Sequence, residues 1–222
     1  MTTIGFIGSG RVGGTLARLA ADAGHDVVLS NSRGPGTLRD LARDLGPRAR
    51  AATVEEAARD GDLVVVCVPF HAYRQVPVAP LRGKVVIDTT NYNPDRDGRL
   101  ADLDAGRVTS AGLLQAHLPE SFVVKAFSNI FHKHLATLGR PAGAPDRSAL
   151  AVTGDDAAAK ATVAELIGTL GYDAYDAGAL DDSRRFAPGT PANHAYLDPE
   201  GMFAAPGRSV SADRLAALLA SA

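Results

Sequence analysis

The chain has 222 residues, with 23 basic and 25 acidic side chains for a formal net charge of −2, and one cysteine. That length suits a single domain, or one with a small annex, and is enough to bury a substantial core. The balance of charge excludes the basic field that nucleic acid or an anionic membrane surface attracts. Cys67 alone excludes an internal disulfide and a multi-thiolate metal site. The longest apolar run, Leu63 to Phe70, is too short to span a membrane.

In chain order, short β-branched runs alternate with longer helical stretches, the pattern of parallel βαβ units. Thr3–Ile7 reads as a strand and Arg11–Ala23 as a helix, with Val12, Leu16, Leu19 and Ala23 on one stripe and Gly24 as its stop. Asp26–Ser30 is the second strand, Thr37–Leu45 a helix, and Arg50–Ala52 a very short strand. Thr53 then caps a helix over Val54–Arg59, and Glu56 completes a capping box. Leu63–Val68 is apolar at consecutive positions, so both faces are covered, as in the middle of a parallel sheet. Lys84–Asp88 and Phe122–Ala126 repeat that signature. Leu150–Thr153 and Asp173–Asp176 read as strands around a helix over Asp155–Leu170. No clear periodicity follows from Asp181 to Ser209, after which Ser211 caps a last helix carrying Leu215, Leu218 and Leu219. The expected fold is α/β, a doubly wound and mostly parallel sheet. Gly139–Pro145 is the boundary candidate, giving a binding domain over 1–145 and a small C-terminal domain over 146–222. No secretory leader is visible in the first ten residues, so the expected location is cytoplasmic.

Gly8-Ser9-Gly10-Arg11-Val12-Gly13 is G-x-G-x-x-G, placed directly after a strand and opening a helix. In that setting Gly8 permits the turn, Gly10 admits a pyrophosphate to the backbone, and Gly13 lets helix pack on strand. The unpaired N–H groups of the helix start then face phosphate. At the end of the second strand an acidic residue would hold the ribose 2′-hydroxyl of NAD. Here the sequence is Ser30-Asn31-Ser32-Arg33, with no carboxylate to repel a 2′-phosphate and a planar donor fork on Arg33 to grip one. NADP is therefore favoured over NAD, with Asn31, Ser32 and Arg33 at its adenosine end.

These residues resemble the NADP-dependent oxidoreductases of coenzyme F420 and the related flavin-reducing domain of membrane metalloreductases. The likeness is carried by the glycine turn, Ser32-Arg33, Val68-Pro69-Phe70-His71 and Asp88-Thr89-Thr90-Asn91-Tyr92-Asn93-Pro94. Lys125-Ala126-Phe127-Ser128-Asn129 and Asp176-Ala177-Gly178-Ala179-Leu180 with Ser183-Arg184 complete it, over roughly residues 1–191. It implies a Rossmann-like sheet with a C-terminal extension closing a substrate cleft, and hydride transfer between NADP(H) and a deazaflavin (coenzyme F420) or a flavin. It also implies Val68-Pro69 under the nicotinamide side, Ser9, Arg11 and Val12 against the pyrophosphate, and a homodimer. The tail from Ala192 to Ala222, with Pro199-Glu200-Gly201-Met202-Phe203, departs from the resemblance.

Hydride transfer between flat heterocycles needs stacking, alignment and a dry cleft rather than a nucleophilic triad or a metal. Ligands sit outside the carboxyl ends of the strands, where Pro69-Phe70-His71, Thr90-Asn91 and Phe127–Asn129 should converge. His71 reads either as a donor to a cofactor amide or phosphate or as a capping or surface histidine. Asn91 reads either as a contact to a carboxamide or as a turn residue, and Ala126 is placed with them. His132-Lys133-His134 lies on no helix face and offers no third metal ligand; Glu55-Glu56 is a solvated helix start and Cys67 a small buried residue. No proton donor or metal is assigned. The alternatives are an NADPH-dependent reductase of another small acceptor, such as an imine or carbonyl, and a non-catalytic NADP(H) sensor.

Overall fold

Each consecutive apolar run becomes a strand, and together they form one eight-stranded sheet in the computed structural model, which describes residues 2–198, 201, 203 and 206–222. The strands are β1 (Thr3–Ile7), β2 (Asp26–Ser30), β3 (Ala49–Ala51), β4 (Leu63–Val66), β5 (Val85–Asp88), β6 (Phe122–Lys125), β7 (Ala149–Gly154) and β8 (Asp173–Asp176). Their spatial order is β3-β2-β1-β4-β5-β6-β7-β8, and β1 to β6 are parallel. The order reverses between β1 and β4, so a crevice opens outside the carboxyl ends of those two strands. β4 is buried at all four positions, as the LVVV run requires of a strand covered on both faces.

The helices are α1 (Arg11–Asp22), α2 (Arg39–Leu45), α3 (Val54–Asp60), α4 (Pro94–Asp97), α5 (Ala101–Asp104), α6 (Ser110–His117), α7 (His132–Thr137), α8 (Ala157–Thr169) and α9 (Ala212–Ala220). α1 buries Gly13, Leu16, Ala17 and Ala20, a stripe at helical spacing. α3 has the capping box read from the sequence: Thr53 Oγ1 accepts from the Glu56 N–H and Glu56 Oε2 accepts from the Thr53 N–H. The stretch before α2 is a 3-10 turn, Pro35–Leu38, so the helix starts later than Thr37. Two short turns, α4 and α5, and the helices α6 and α7 were not expected; His132-Lys133-His134 opens α7, with His134 buried.

β7 departs from the parallel pattern. It runs antiparallel to β6, with Val124 opposite Gly154 and Lys125 opposite Thr153, and β8 is parallel to β7. The β7–α8–β8 unit is thus turned over relative to the rest of the sheet. The main apolar cluster continues across the expected boundary at residue 145, joining Leu16 and Val65 to Leu150, Val163 and Phe186. The tail docks on the same unit: the Ala149 N–H donates to the Val210 carbonyl at 2.8 Å, Ser211 caps α9, and Leu215 and Leu219 are buried. Most of the Pro199-Glu200-Gly201-Met202-Phe203 stretch lies outside the described residues.

Candidate active site

Three glycines shape the turn between β1 and α1, each for its own reason. Gly8 has φ +99°, a left-handed conformation, and a Cβ there would collide with the Cys67 carbonyl. A Cβ on Gly13 would overlap the Gly8 carbonyl oxygen, so only glycine lets α1 sit this close to the strand end. A Cβ on Gly10 would meet nothing of the protein within 4 Å; it would fill the open cradle above the turn. α1 has neither a side-chain cap nor an acidic residue in its first turn, so its leading N–H groups are left for an anion.

The cradle belongs to a cavity of about 630 Å³, lined in part by Gly8, Ser9, Gly10, Asn31, Ser32 and Arg33 on one side and Val68, Pro69 and His71 on the other. Ser9 Oγ donates to the Ser30 carbonyl at 3.0 Å, tying the turn to the end of β2. Asn31 is occupied within its own loop: Oδ1 accepts from the Arg33 N–H at 2.9 Å and Nδ2 donates to Thr37 Oγ1 at 2.9 Å. The Arg33 guanidinium and the Ser32 hydroxyl, both exposed, have no partner among the described residues. They stand as a donor pair on the cavity's wall, just after the end of β2.

A second cavity of about 350 Å³ adjoins the first where Gly10 meets Arg11 and where Thr89 Oγ1 donates to Cys67 Sγ at 3.0 Å. It is lined by Arg11, Val12 and Asn91, by Ser128 and Asn129 after β6, and by His132, Asn193 and His194, among others. Phe127, with φ +60°, is left-handed though it is not glycine, and this strained residue swings Ser128 and Asn129 out of the sheet. Ser128 Oγ and Asn129 Oδ1 are buried there without a hydrogen-bond partner among the described residues, while Asn91 Nδ2 donates to the Ser128 carbonyl at 2.7 Å.

Against this geometry, the family described as NADP oxidoreductase, coenzyme F420-dependent, matches residues 3–92. The crystal structure of hypothetical protein SMa0349 from Sinorhizobium meliloti is similar at 30% identity with a TM-score of 0.75, over 86% of this chain and 92% of that one. The likeness to the F420-dependent NADP oxidoreductase family thus lies on the part of the chain that carries the glycine turn and the Arg33 loop. It is 32% identical over 146 residues to the F420-dependent NADP reductase of Methanocaldococcus jannaschii, covering 62% of each. It is 30% identical over 183 residues to the metalloreductase STEAP3 of Rattus norvegicus, covering 82% of this chain. The match spans 35% of that metalloreductase and 62% of the archaeal reductase, so the chain accounts for only part of the curated relatives' length.

Across the glycine turn and the two cavities, the residues read from the sequence fall into three groups. Gly8, Ser9, Gly10, Asn31, Ser32, Arg33, Val68, Pro69 and His71 line the larger cavity, while Arg11, Val12 and Asn91 line the smaller. Gly13 lines neither and acts through packing. Ala126 is also corrected: it is fully buried in the main core and lines neither cavity, because the chain turns outward only at Phe127. Arg184 and Arg185 are likewise engaged in the fold. Arg184 pairs with Asp181 and donates to the Gly106 carbonyl, and Arg185 donates to the Ala177 carbonyl. Cys67 forms part of the floor of the larger cavity; burial pushes its thiol up to about 12, so it stays protonated and inert at neutral pH.

Two networks escaped the sequence reading. Lys125, at the end of β6, is 3% exposed and donates to Asp88 Oδ2 at 3.0 Å and to the Thr90 carbonyl; Asp88, at the end of β5, is fully buried. Asp88 Oδ1 also accepts from the Thr90 N–H at 2.7 Å, so the pair fixes the strand ends from which Asn91 projects. The second network is His71 Nδ1 with Asp97 Oδ1 at 2.9 Å, the carboxylate being gripped by Arg96 and by the Asn93 N–H. Burial pushes the Asp97 carboxyl up, but Arg96 and these amide hydrogens outweigh it and hold it well below the usual carboxylate range.

Proposed function

We propose that this chain is an NADP(H)-dependent oxidoreductase that exchanges a hydride with a flat acceptor of the deazaflavin or flavin type. The observation that carries the reading is the unpaired Arg33 and Ser32 donor pair at the end of β2, joined to the glycine turn by a single cavity. The cradle fits the dinucleotide: it is bare where a Cβ would block a diphosphate, and no carboxylate follows β2 directly to repel a 2′-phosphate. Bound NADP(H) would supply the hydride at its nicotinamide ring.

The protein's own part is positional. The N–H groups opening α1 hold the diphosphate, Arg33 and Ser32 hold the 2′-phosphate, and Val68 and Pro69 give the nicotinamide side an apolar floor. The smaller cavity is the acceptor site in this reading. Phe131, Leu197 and Phe203 give it apolar surface, and the unpaired Ser128 Oγ and Asn129 Oδ1 offer hydrogen bonds to a heterocycle's polar edge. The unit over 146–222 closes this side of the cleft, and the active species is a homodimer acting in the cytoplasm.

Two measurements test the proposal. Titration of NADPH and NADH should show preference for NADPH, and Arg33→Ala should weaken NADPH by about tenfold to a hundredfold while barely touching NADH. Equal losses for both would remove the 2′-phosphate assignment. NADPH oxidation is then followed with coenzyme F420, a free flavin and a small cyclic imine. Bleaching of the deazaflavin or flavin band supports the acceptor assignment; turnover with the imine alone, or tight binding without turnover, replaces it.

A further inference from the structure

His71 stands half-exposed at the wall of the larger cavity, and its ring is anchored from behind. The anchoring carboxylate, Asp97, is fully buried and surrounded by donors. Arg96 Nε and Nη2 reach its two oxygens at 2.9 and 2.7 Å, the Asn93 N–H at 2.9 Å, and the His71 N–H at 3.2 Å. A carboxylate so placed only accepts, so the hydrogen between it and His71 is carried by Nδ1. In the neutral ring this leaves Nε2 as a bare lone pair, on the ring edge away from Asp97. The same cavity is lined by Val54, Ala72 and Val76, apolar surfaces suited to the faces of a flat base, with Glu55 and Gln75 as the polar side chains among them. A lone pair there offers nothing to phosphate oxygens, but it accepts from an amino group.

We propose that His71 is a specificity-determining residue for the dinucleotide, its Nε2 accepting a hydrogen bond from the exocyclic amino group of the purine. The site would then select a 6-aminopurine dinucleotide over its 6-oxopurine counterpart, since an oxo group sets acceptor against acceptor. The proposal rests on the reading of this cavity as the NADP(H) site. Asp97 is a positioning residue in it, holding the tautomer from 26 positions along the chain.

The test compares NADPH with its hypoxanthine analogue, reduced nicotinamide hypoxanthine dinucleotide phosphate, by nicotinamide fluorescence at pH 8. The wild type should prefer the amino form by about tenfold. His71→Ala should bring that ratio to near one while leaving the NADPH-to-NADH ratio, set by Arg33, unchanged. His71→Gln, whose amide oxygen accepts, should restore part of the preference. His71 is half-exposed, so these variants are expected to keep the fold, and a melting curve verifies it. An unchanged amino preference in His71→Ala overturns the proposal. So does a collapse of the NADPH-to-NADH ratio, which would place His71 on the phosphate. A wild type that binds NADPH and the analogue equally defeats His71 alone, whereas binding of neither defeats the NADP(H) reading itself.

Discussion

Gly10 and Gly13 lie three residues apart and are glycine for opposite reasons, which makes them separable by experiment. A methyl group on Gly13 would enter the Gly8 carbonyl, a backbone atom that cannot swing aside, so Gly13→Ala must push α1 off the end of β1. It should lower stability by about 1–3 kcal/mol, the usual range for overpacking, and dinucleotide binding should fall with it. A methyl group on Gly10 meets only open space, and Gly10 is already in a conformation that alanine adopts. Gly10→Ala should therefore leave the urea midpoint almost unmoved yet weaken NADPH by about tenfold or more, because the added Cβ occupies the diphosphate's approach. Retained NADPH affinity in Gly10→Ala would remove the cradle from the binding site. The roles of Gly8 in the turn and of Gly13 in packing were legible in the sequence, because strand, turn and helix are contiguous there. The partnership of His71 with Asp97 was not, since it joins residues 26 apart through a short turn, α4, that leaves no periodic trace.

At the scale of elements, the carboxyl ends of β5 and β6 are bolted together by Asp88 and Lys125, and this junction holds Thr90, directly before Asn91 on the wall of the smaller cavity. Removing one partner strands the other's charge in the core, which costs about 3–5 kcal/mol. Lys125→Met should lose that much by urea unfolding, and adding Asp88→Asn should recover a good part of it; a single-variant loss below about 1 kcal/mol would show that the pair carries no such weight. The pair was discoverable beforehand. Both charges close runs whose other residues are apolar, VVID and FVVK, and a charge in a strand covered on both faces has to be paired. The strands themselves were legible for the same reason, to within a residue or two. The direction of β7 was not. ALAVTG is buried at every position, and such a run looks alike from either end, so its reversal comes from the path of the chain between α7 and β7. The turns α4 and α5 were missed because side-chain hydrogen bonds to Asp97 and Asp104 organise that region, rather than an apolar stripe.

Across the whole molecule, the shifted groups set a direction for stability against pH. Glu56, held by the Thr53 N–H, Asp60, held by Arg50, and Asp146, held by Arg140, all lie below the ordinary carboxylate value. Asp97 and Asp176 do too, their hydrogen bonds to Arg96 and Lys160 overcoming the upward push of burial. His25 and His132 are lowered by burial. In each case the native state binds fewer protons than the unfolded chain, so their contribution is present above the unfolded value and lost as pH falls through the folded one. Loss should begin with the histidines below about pH 6.5 and steepen with the carboxylates below about pH 4. On the alkaline side burial raises Cys67 to about 12, and raises Tyr172 and Tyr196 above the usual phenol value. Those groups stabilise the fold fully below their unfolded values, and the gain is lost as pH climbs through the folded ones. Lys84, lowered by burial, works the other way there and blunts the decline. Urea midpoints across pH 3 to 11 should thus trace a dome with its top between about pH 7 and 9. Cys67→Ala should flatten the alkaline limb above about pH 9 and leave the acid limb in place. A midpoint that rises as pH drops from 7 to 4 would contradict the shared sign of these carboxylates and histidines.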